Sequence, residues 1–290
     1  MSNTAAASRF RCLFFGMPCA FSSPILAALA RPEIEQVGVV TPQSSPDAEP
    51  FRVIRGLSTR PVISLSSHAR QFQAPRYLVR DIRSQRLRAE LGDLAPDLIV
   101  VACFPWLIPD ALTTIARIAA INIHPSLLPQ HRGPDPLFWT FRAGESTSGV
   151  TLHSLSSEFD TGSILAQTST TVAGDESLAS LEQRLAQIGA DLLAELIAGL
   201  PSLPPALSQD ESVAITEPAP SSVDREIDTS WTVAHARRFI AGVGRSHGPL
   251  TFRDLDRSHP VNGLATEDHG VEIRLRDGRL RVTTGDPTDA

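Results

Sequence analysis

The sequence predicts an α/β protein: a Rossmann-like, mostly parallel sheet with helices on both faces, followed by a small β-rich (OB-like) C-terminal domain. Three observations point there. Strand-like runs alternate with helix-like runs from Arg9 to His124. The strand-like runs are apolar almost throughout, as expected of strands covered on both faces. Beyond a proline-rich stretch the pattern turns to short segments that alternate apolar and polar residues. The expected organisation is a large domain over 1–200, a linker over 201–222 and a small domain over 223–290.

Taken in order, "RFRCLFFG" reads as a buried strand closed by a glycine turn, and "PILAALARPEI" as the helix that follows. "IEQVGVVT" is a second strand and "QSSPDAEP" a polar loop. "RPVISL" is a short strand candidate, and "DIRSQRLRAELGDLAP" has helical spacing before its Gly and Pro. "DLIVVAC" and "AAINIH" are further buried strands, with "IPDALTTIARI" as a helix between them. From Gly149, "GVTLHSL" and "SILAQTSTTV" are strands bracketing the loop "SSEFDTG". Leu178, Leu181, Leu185, Ile188, Leu192 and Leu196 then recur at helical spacing, the mark of a helix packed on the sheet. "WTVAHARRFIAG" is helical, and "VEIRLRDGRLRV" alternates on both sides of an Asp-Gly pair, which predicts a hairpin turning at those two residues.

The totals exclude several classes of protein. The chain has 290 residues, 42% hydrophobic and 20% charged, ordinary values for a globular protein. No apolar run approaches the ~18 residues of a membrane span, so no membrane partner is expected. The first residues read as a ragged start feeding a strand rather than as a signal peptide. Three cysteines, Cys12, Cys19 and Cys103, form no paired-spacing motif and suit a reducing, cytoplasmic setting. All 26 basic residues are arginine. Without lysine there is no Schiff-base or phosphate-loop lysine, which leaves imidazole, carboxylate and thiol for proton transfer near neutral pH. Nine of the arginines fall between Phe51 and Ala89 against one acid, Asp81, while the chain as a whole carries a formal charge of −6. Such a stretch suits a polyanion, RNA included, or a set of solvated helix faces. The eight histidines show no zinc spacing, and no metal is expected.

Chemistry concentrates at one strand tip. Asn122 and His124 are two residues apart, so on a strand they project from the same face. An amide donor beside an imidazole suits negative charge developing on an oxygen, as when a nucleophile attacks a carbonyl. Asp160, in "EFDTG", could orient the imidazole or take a proton from an attacking amine. Taken singly, each residue is equally at home satisfying loop backbone groups.

The segments "NIHPSLLPQHRGPDP" and "GESTSGVTLHSLSSEFDTGSIL" together resemble the signature of the folate-dependent formyltransferase family. The resemblance spans roughly Arg11 to Gln167. A weaker likeness, from "REIDTSWTVAHARRFI" to "GPLTF", is to the C-terminal domain of the members that formylate methionyl-tRNA, the closest layout. It implies a transferase moving a formyl group from 10-formyltetrahydrofolate to a primary amine, with Asn122, His124 and Asp160 as the catalytic set. In that set His124 and Asn122 would stabilise the oxyanion, while Asp160 would hold His124 and help move the amine proton. Trp106, Leu107 and Ile108 would lie beside the folate, with Ser126, Leu127, Leu128, Ser156, Ser157, Glu158 and Phe159 completing its walls. Pro129, Arg132 and Gly133 would shape the loop. The implied acceptor is methionyl-tRNA, that is, charged initiator tRNA. The alternatives are an amino-sugar nucleotide or another small phosphorylated amine, water in a formyltetrahydrofolate hydrolase, or no acceptor in a non-catalytic folate-binding homologue. Two departures bear on the acceptor. The loop after the second strand lacks a long basic insertion, and from Leu207 onward ten arginines face fourteen acids.

Overall fold

The computed structural model describes residues 9–43, 49–54, 74–244, 246–254, 257–265 and 270–284. They form two compact units, neither continuous in sequence. One draws on Met1–Arg132, Gly149–Thr168 and Gln183–Ala214, the other on Gly133–Ser148, Ser169–Glu182 and Ile215–Ala290.

The first unit is built on an eight-stranded sheet. Its strands are β1 (Phe10–Gly16), β2 (Ile34–Pro42), β3 (Phe51–Ile54), β4 (Arg76–Val79), β5 (Leu98–Ala102), β6 (Ala119–His124), β7 (Thr147–Ser154) and β8 (Ile164–Thr171). Their order across the sheet is β3-β4-β2-β1-β5-β6-β7-β8. The centre is parallel, β4 on β2, β2 on β1, β1 on β5 and β5 on β6. β3 on β4 and β6 on β7 are antiparallel. Phe14, Val100 and Ile121 are fully buried, which is what makes these strands read as unbroken apolar runs. Strand order reverses between β1 and β5, the place where open α/β sheets leave a crevice beyond the strand ends.

Helix α1 (Ser22–Ala28) is shorter than its pattern promised, because the chain stops it ahead of Pro32 and Ile34 already belongs to β2. α2 (Gln85–Gly92) starts where Ser84 accepts the amide of Leu87. The helix expected over Ile108 to Ile118 is a single turn, α3 (Asp110–Thr113). Thr113 and Thr114 are poor helix formers, and Arg117 and Ile118 are drawn to the carbonyls of Pro96 and Asp97. In this sheet two strands were not anticipated, β3 and β4, each only four residues long and each containing an arginine. The strand expected at "RPVISL" lies outside the described residues, as do Arg55, Arg60 and Arg70 of the basic stretch. Of the remainder, Arg86 pairs with Glu49 at 2.8 Å and lies over Phe51, while Arg52, Arg83 and Arg88 are exposed.

The long helix α5 (Leu178–Ala198) is where the leucine spacing put it. A Cβ on Gly189 would sit 2.9 Å from Ile123, so the absence of a side chain there lets α5 lie close behind β6. Of the proline-rich stretch expected as a linker, residues up to Ala214 belong to this unit. Leu207 forms an antiparallel bridge with Ile164, with both hydrogen bonds at 2.8 Å.

The second unit holds α4 (Pro136–Ala143), α6 (Val233–Val243) and two three-stranded sheets. One sheet pairs β9 (Glu226–Ile227), β10 (Leu250–Asp254) and β11 (Arg257–Val261), and the other β12 (Gly263–Leu264), β13 (Val271–Leu275) and β14 (Gly278–Thr283). The β13–β14 hairpin turns one residue earlier than expected. Leu275 pairs with Gly278, so the loop is Arg276–Asp277. Asp277 accepts the Val233 amide at 2.8 Å, and the Arg276 amide donates to Trp231 at 3.0 Å, which fixes the loop at that position. Among the described residues no helix is long and apolar enough to cross a membrane.

Candidate active site

β6 ends at the carboxyl edge of the sheet with Asn122 and His124 on one face. In the antiparallel pair with β7, Asn122 stands opposite His153 and His124 opposite Thr151, so four polar side chains share that face. Beyond β7 the loop "SSEFDTG" returns Asp160 to them. Asp160 holds a left-handed backbone (φ +58°), a conformation that Asp tolerates better than most residues. Gly162 makes the return possible: a Cβ there would lie 1.7 Å from the Ser154 carbonyl oxygen.

The structure thus brings Asn122, His124 and Asp160 together, and adds His153. Asn122 Nδ2 donates to Asp160 Oδ1 at 3.2 Å and to His153 Nε2 at 3.1 Å. His153 can accept there because its Nδ1–H donates to the Ser154 carbonyl at 2.9 Å. His124 Nε2–H donates to the carbonyl of His131 at 2.9 Å, and its Nδ1 faces Asp160 Oδ1 at 3.5 Å. That distance is longer than a formed hydrogen bond. His124, His153 and Asp160 are 5%, 1% and 7% exposed, so this is a dry cluster. Burial lowers the pKa of His124; Asp160 and the hydrogen bond to the His131 carbonyl oppose the effect, and the charges of His153 and His131 add to it. A neutral imidazole with its proton on Nε2 therefore presents a bare lone pair on Nδ1 towards a carboxylate oxygen. Two acceptors face one another, and a donor inserted between them would satisfy both.

The segments flanking this cluster divide into fixed and open groups. Ser126 is 1% exposed and its hydroxyl donates to the Gln130 carbonyl at 2.7 Å, so it shapes the loop. Thr151 Oγ1 donates to the Ser126 carbonyl at 2.7 Å and accepts from the Leu128 amide at 3.2 Å and from Gln167 Nε2 at 2.8 Å. Leu127 packs over Gly149, where a Cβ would come within 2.4 Å of its Cδ2. Leu128 and Ile108 are buried. Trp106 is half-buried, edge-on to Phe104 with ring centroids 5.7 Å apart. The main-chain groups of Trp106, Leu107 and Ile108 have no protein hydrogen-bond partner among the described residues. Ser156 accepts or donates to Thr161 at 2.8 Å within the loop, while Ser157, Glu158 and Phe159 are exposed.

Two cysteines lie beyond β1 and β5. Cys19 Sγ accepts the Ser22 amide at 3.3 Å. Its pKa is lowered to about 6, first by a hydrogen bond from Cys103 and then by Ser22, against the opposing effect of burial. Cys12, fully buried in β1, is pushed far up.

Sequence reasoning did not single out His153, Thr151, Gln167 or Gln209. The signal for the first two was present in the alternation of "TLHS", but only the register between β6 and β7 puts them beside Asn122 and His124. Gln209 sits in the stretch expected as a linker. Its Nε2 donates to the carbonyls of Asp160 and Gly162 at 2.7 and 2.8 Å.

The chain as a whole is similar to several known proteins. A formyl transferase family model matches residues 13–197. A methionyl-tRNA formyltransferase of Citrifermentans bemidjiense is 34% identical over 286 residues, covering 94% of this chain and 87% of that protein. Among solved structures, an N-formyltransferase from Helicobacter canadensis, in complex with folinic acid and dTDP-3-aminofucose, is similar with a TM-score of 0.61. It is 14% identical, and the match covers 95% of this chain and 99% of that one. HypX from Aquifex aeolicus in complex with tetrahydrofolic acid is similar with a TM-score of 0.58 at 19% identity. That match covers 95% of this chain but only 44% of HypX, so the chain spans less than half of that protein's length.

Proposed function

Because the chain belongs to the formyl transferase family, we propose that it transfers a formyl group from 10-formyltetrahydrofolate to the amino group of methionyl-tRNA, with Asn122, His124 and Asp160 as its catalytic residues. The observation that carries the chemistry is the pair of facing acceptors, His124 Nδ1 and Asp160 Oδ1, 3.5 Å apart in a dry cluster.

The residues present fit a folate. Trp106 and Leu107, both half-buried at the crevice end of β5, offer apolar surface to a pterin ring, and the unpartnered main-chain groups of 106–108 suit its hydrogen-bonding edge. Ser126 and Leu127 act one step removed, by holding the loop. When bound, the donor supplies an electrophilic formyl carbon. The α-amino group of an aminoacyl acceptor has a pKa of about 8 and attacks as the neutral amine, after its first proton has gone to solvent. As the new C–N bond forms, the attacking nitrogen becomes cationic and gives its second proton to His124 Nδ1, with Asp160 stabilising the resulting imidazolium. The same Nδ1–H then points at the formyl oxygen and donates to its developing charge. An Asn122 amide hydrogen assists by turning from Asp160. The proton finally passes to the departing nitrogen, which returns His124 to its neutral form.

The acceptor rests on the similarity running through both units, over 94% of the chain, to a protein named for methionyl-tRNA. A small amine such as an amino-sugar nucleotide is the second reading. The excess of acids after Leu207 favours it, since phosphate contacts dominate nucleic-acid affinity. Incubation of the chain with 10-formyltetrahydrofolate and each acceptor separately, followed by mass analysis of the acceptor, decides between them. Formylated methionyl-tRNA, with a rate that falls as salt is raised, supports the first. Formylation of a small amine alone overturns it.

A further inference from the structure

Arg132 is a cation buried to 4% exposure, one residue beyond His131. Its Nε and Nη2 donate to Gln209 Oε1 at 3.0 and 2.8 Å, and its Nη1 and Nη2 to the Glu211 carboxylate at 2.9 and 2.7 Å. The Gln209 amide is thereby oriented without ambiguity. Its oxygen meets only donors, and its nitrogen meets only acceptors, the carbonyls of Asp160 and Gly162. Both N–H groups are used. The bridge between Leu207 and Ile164 brings this segment to the same loop.

Two backbone segments decide how His124 and Asp160 face each other, and both are held in left-handed conformations, His131 at φ +54° and Asp160 at φ +58°. The His131 carbonyl aims the imidazole of His124. The Asp160 backbone aims the carboxylate. Arg132 belongs to the first segment, and Gln209, which it grips, holds the second. We propose that Gln209, fixed by Arg132, is a positioning residue that sets the separation between His124 Nδ1 and Asp160 Oδ1. The proposal rests on the reading of those two groups as the proton-transfer pair.

The test compares the full chain with Gln209→Glu and Gln209→Met. The first keeps an oxygen for Arg132 but turns a second oxygen on the two carbonyls; the second keeps length and loses all four hydrogen bonds. Both are expected to lower kcat by about 10- to 100-fold, the scale for a displaced reacting group. KM for 10-formyltetrahydrofolate should stay within about twofold and Tm within a few degrees. A readout independent of turnover is the titration of the His124 ring by NMR. Asp160, His153 and His131 are the charged and titratable groups that face it; the Asp160 charge and the His131 carbonyl raise its pKa, and the charges of His153 and His131 lower it. Withdrawing Asp160 moves the titration to lower pH in Gln209→Met, the variant that adds no charge of its own. Wild-type kcat in both, or lost activity with a lower Tm and an unmoved His124 titration, overturns the proposal. If the wild-type chain releases no tetrahydrofolate with any acceptor or with water, the functional reading fails. The His124 titration then still decides whether Gln209 sets the pair.

Discussion

The Nε2 of His124 lies 2.9 Å from the main-chain oxygen of His131, and a carbonyl oxygen only accepts. The proton on Nε2 is therefore committed, and every change in the charge of His124 takes place at Nδ1, the atom that faces Asp160.

This arrangement fixes a pH dependence. Burial lowers the His124 pKa from its ordinary 6.5, so the imidazole is neutral, and able to take a proton, at pH 7. On the acid side kcat/KM should first fall with protonation of the free acceptor amine, pKa about 8, and should fall more steeply only below pH 6.5, as Nδ1 becomes occupied. Asp160→Asn removes the larger of two influences raising the pKa, the other being the His131 carbonyl, so whatever activity remains should show its second limb at still lower pH. A second limb at or above 6.5 in the wild type would contradict the assignment.

Much of this was legible in the sequence, for identifiable reasons. The parallel centre of the sheet is written in uninterrupted apolar runs, and the face shared by Asn122 and His124 follows from a period of two. What sequence could not supply is register and long-range contact. His153 enters the site only because β7 pairs antiparallel with β6 at that residue, and Gln209 only because a proline-rich stretch folds back onto Ile164. The one-turn α3 and the displaced hairpin loop have the same origin: distant partners, the carbonyl of Asp97 in one case and Trp231 with Val233 in the other, overrode the local pattern.

Asn122 spends both amide hydrogens on His153 and Asp160. Asn122→Ala should lower kcat by about 10²–10³, the range for one lost oxyanion donor. Asn122→Asp should do worse, since it sets a second carboxylate against Asp160. Steady-state kinetics on the two variants would separate these outcomes, and an Asp variant as active as the wild type would contradict the geometry.

Gly162 has no room for a methyl group beside Ser154. Gly162→Ala should cost about 1–3 kcal/mol of stability through forced backbone movement and displace Asp160. Thermal melting and kcat measured together should both fall. A variant with wild-type values of each would show that the loop tolerates a different path.

Cys19, with its pKa lowered to about 6, is mostly thiolate at pH 7, whereas Cys12 is buried and protonated. Iodoacetamide should label Cys19 first, with a rate that rises through pH 6 and levels off above it. Ser22→Ala removes the hydroxyl contact to the sulfur while leaving the Ser22 amide on it, and should shift that rise to higher pH. Peptide mass mapping would read the sites, and equal labelling of Cys12 and Cys19 would contradict the assignment.

The most direct measurement is tetrahydrofolate release from 10-formyltetrahydrofolate in the presence of methionyl-tRNA, for the wild type and for His124→Ala and Asp160→Asn. The account predicts release by the wild type and a loss of about 10²–10⁴-fold in each variant, with folate binding retained. Release at wild-type rates by His124→Ala would contradict it.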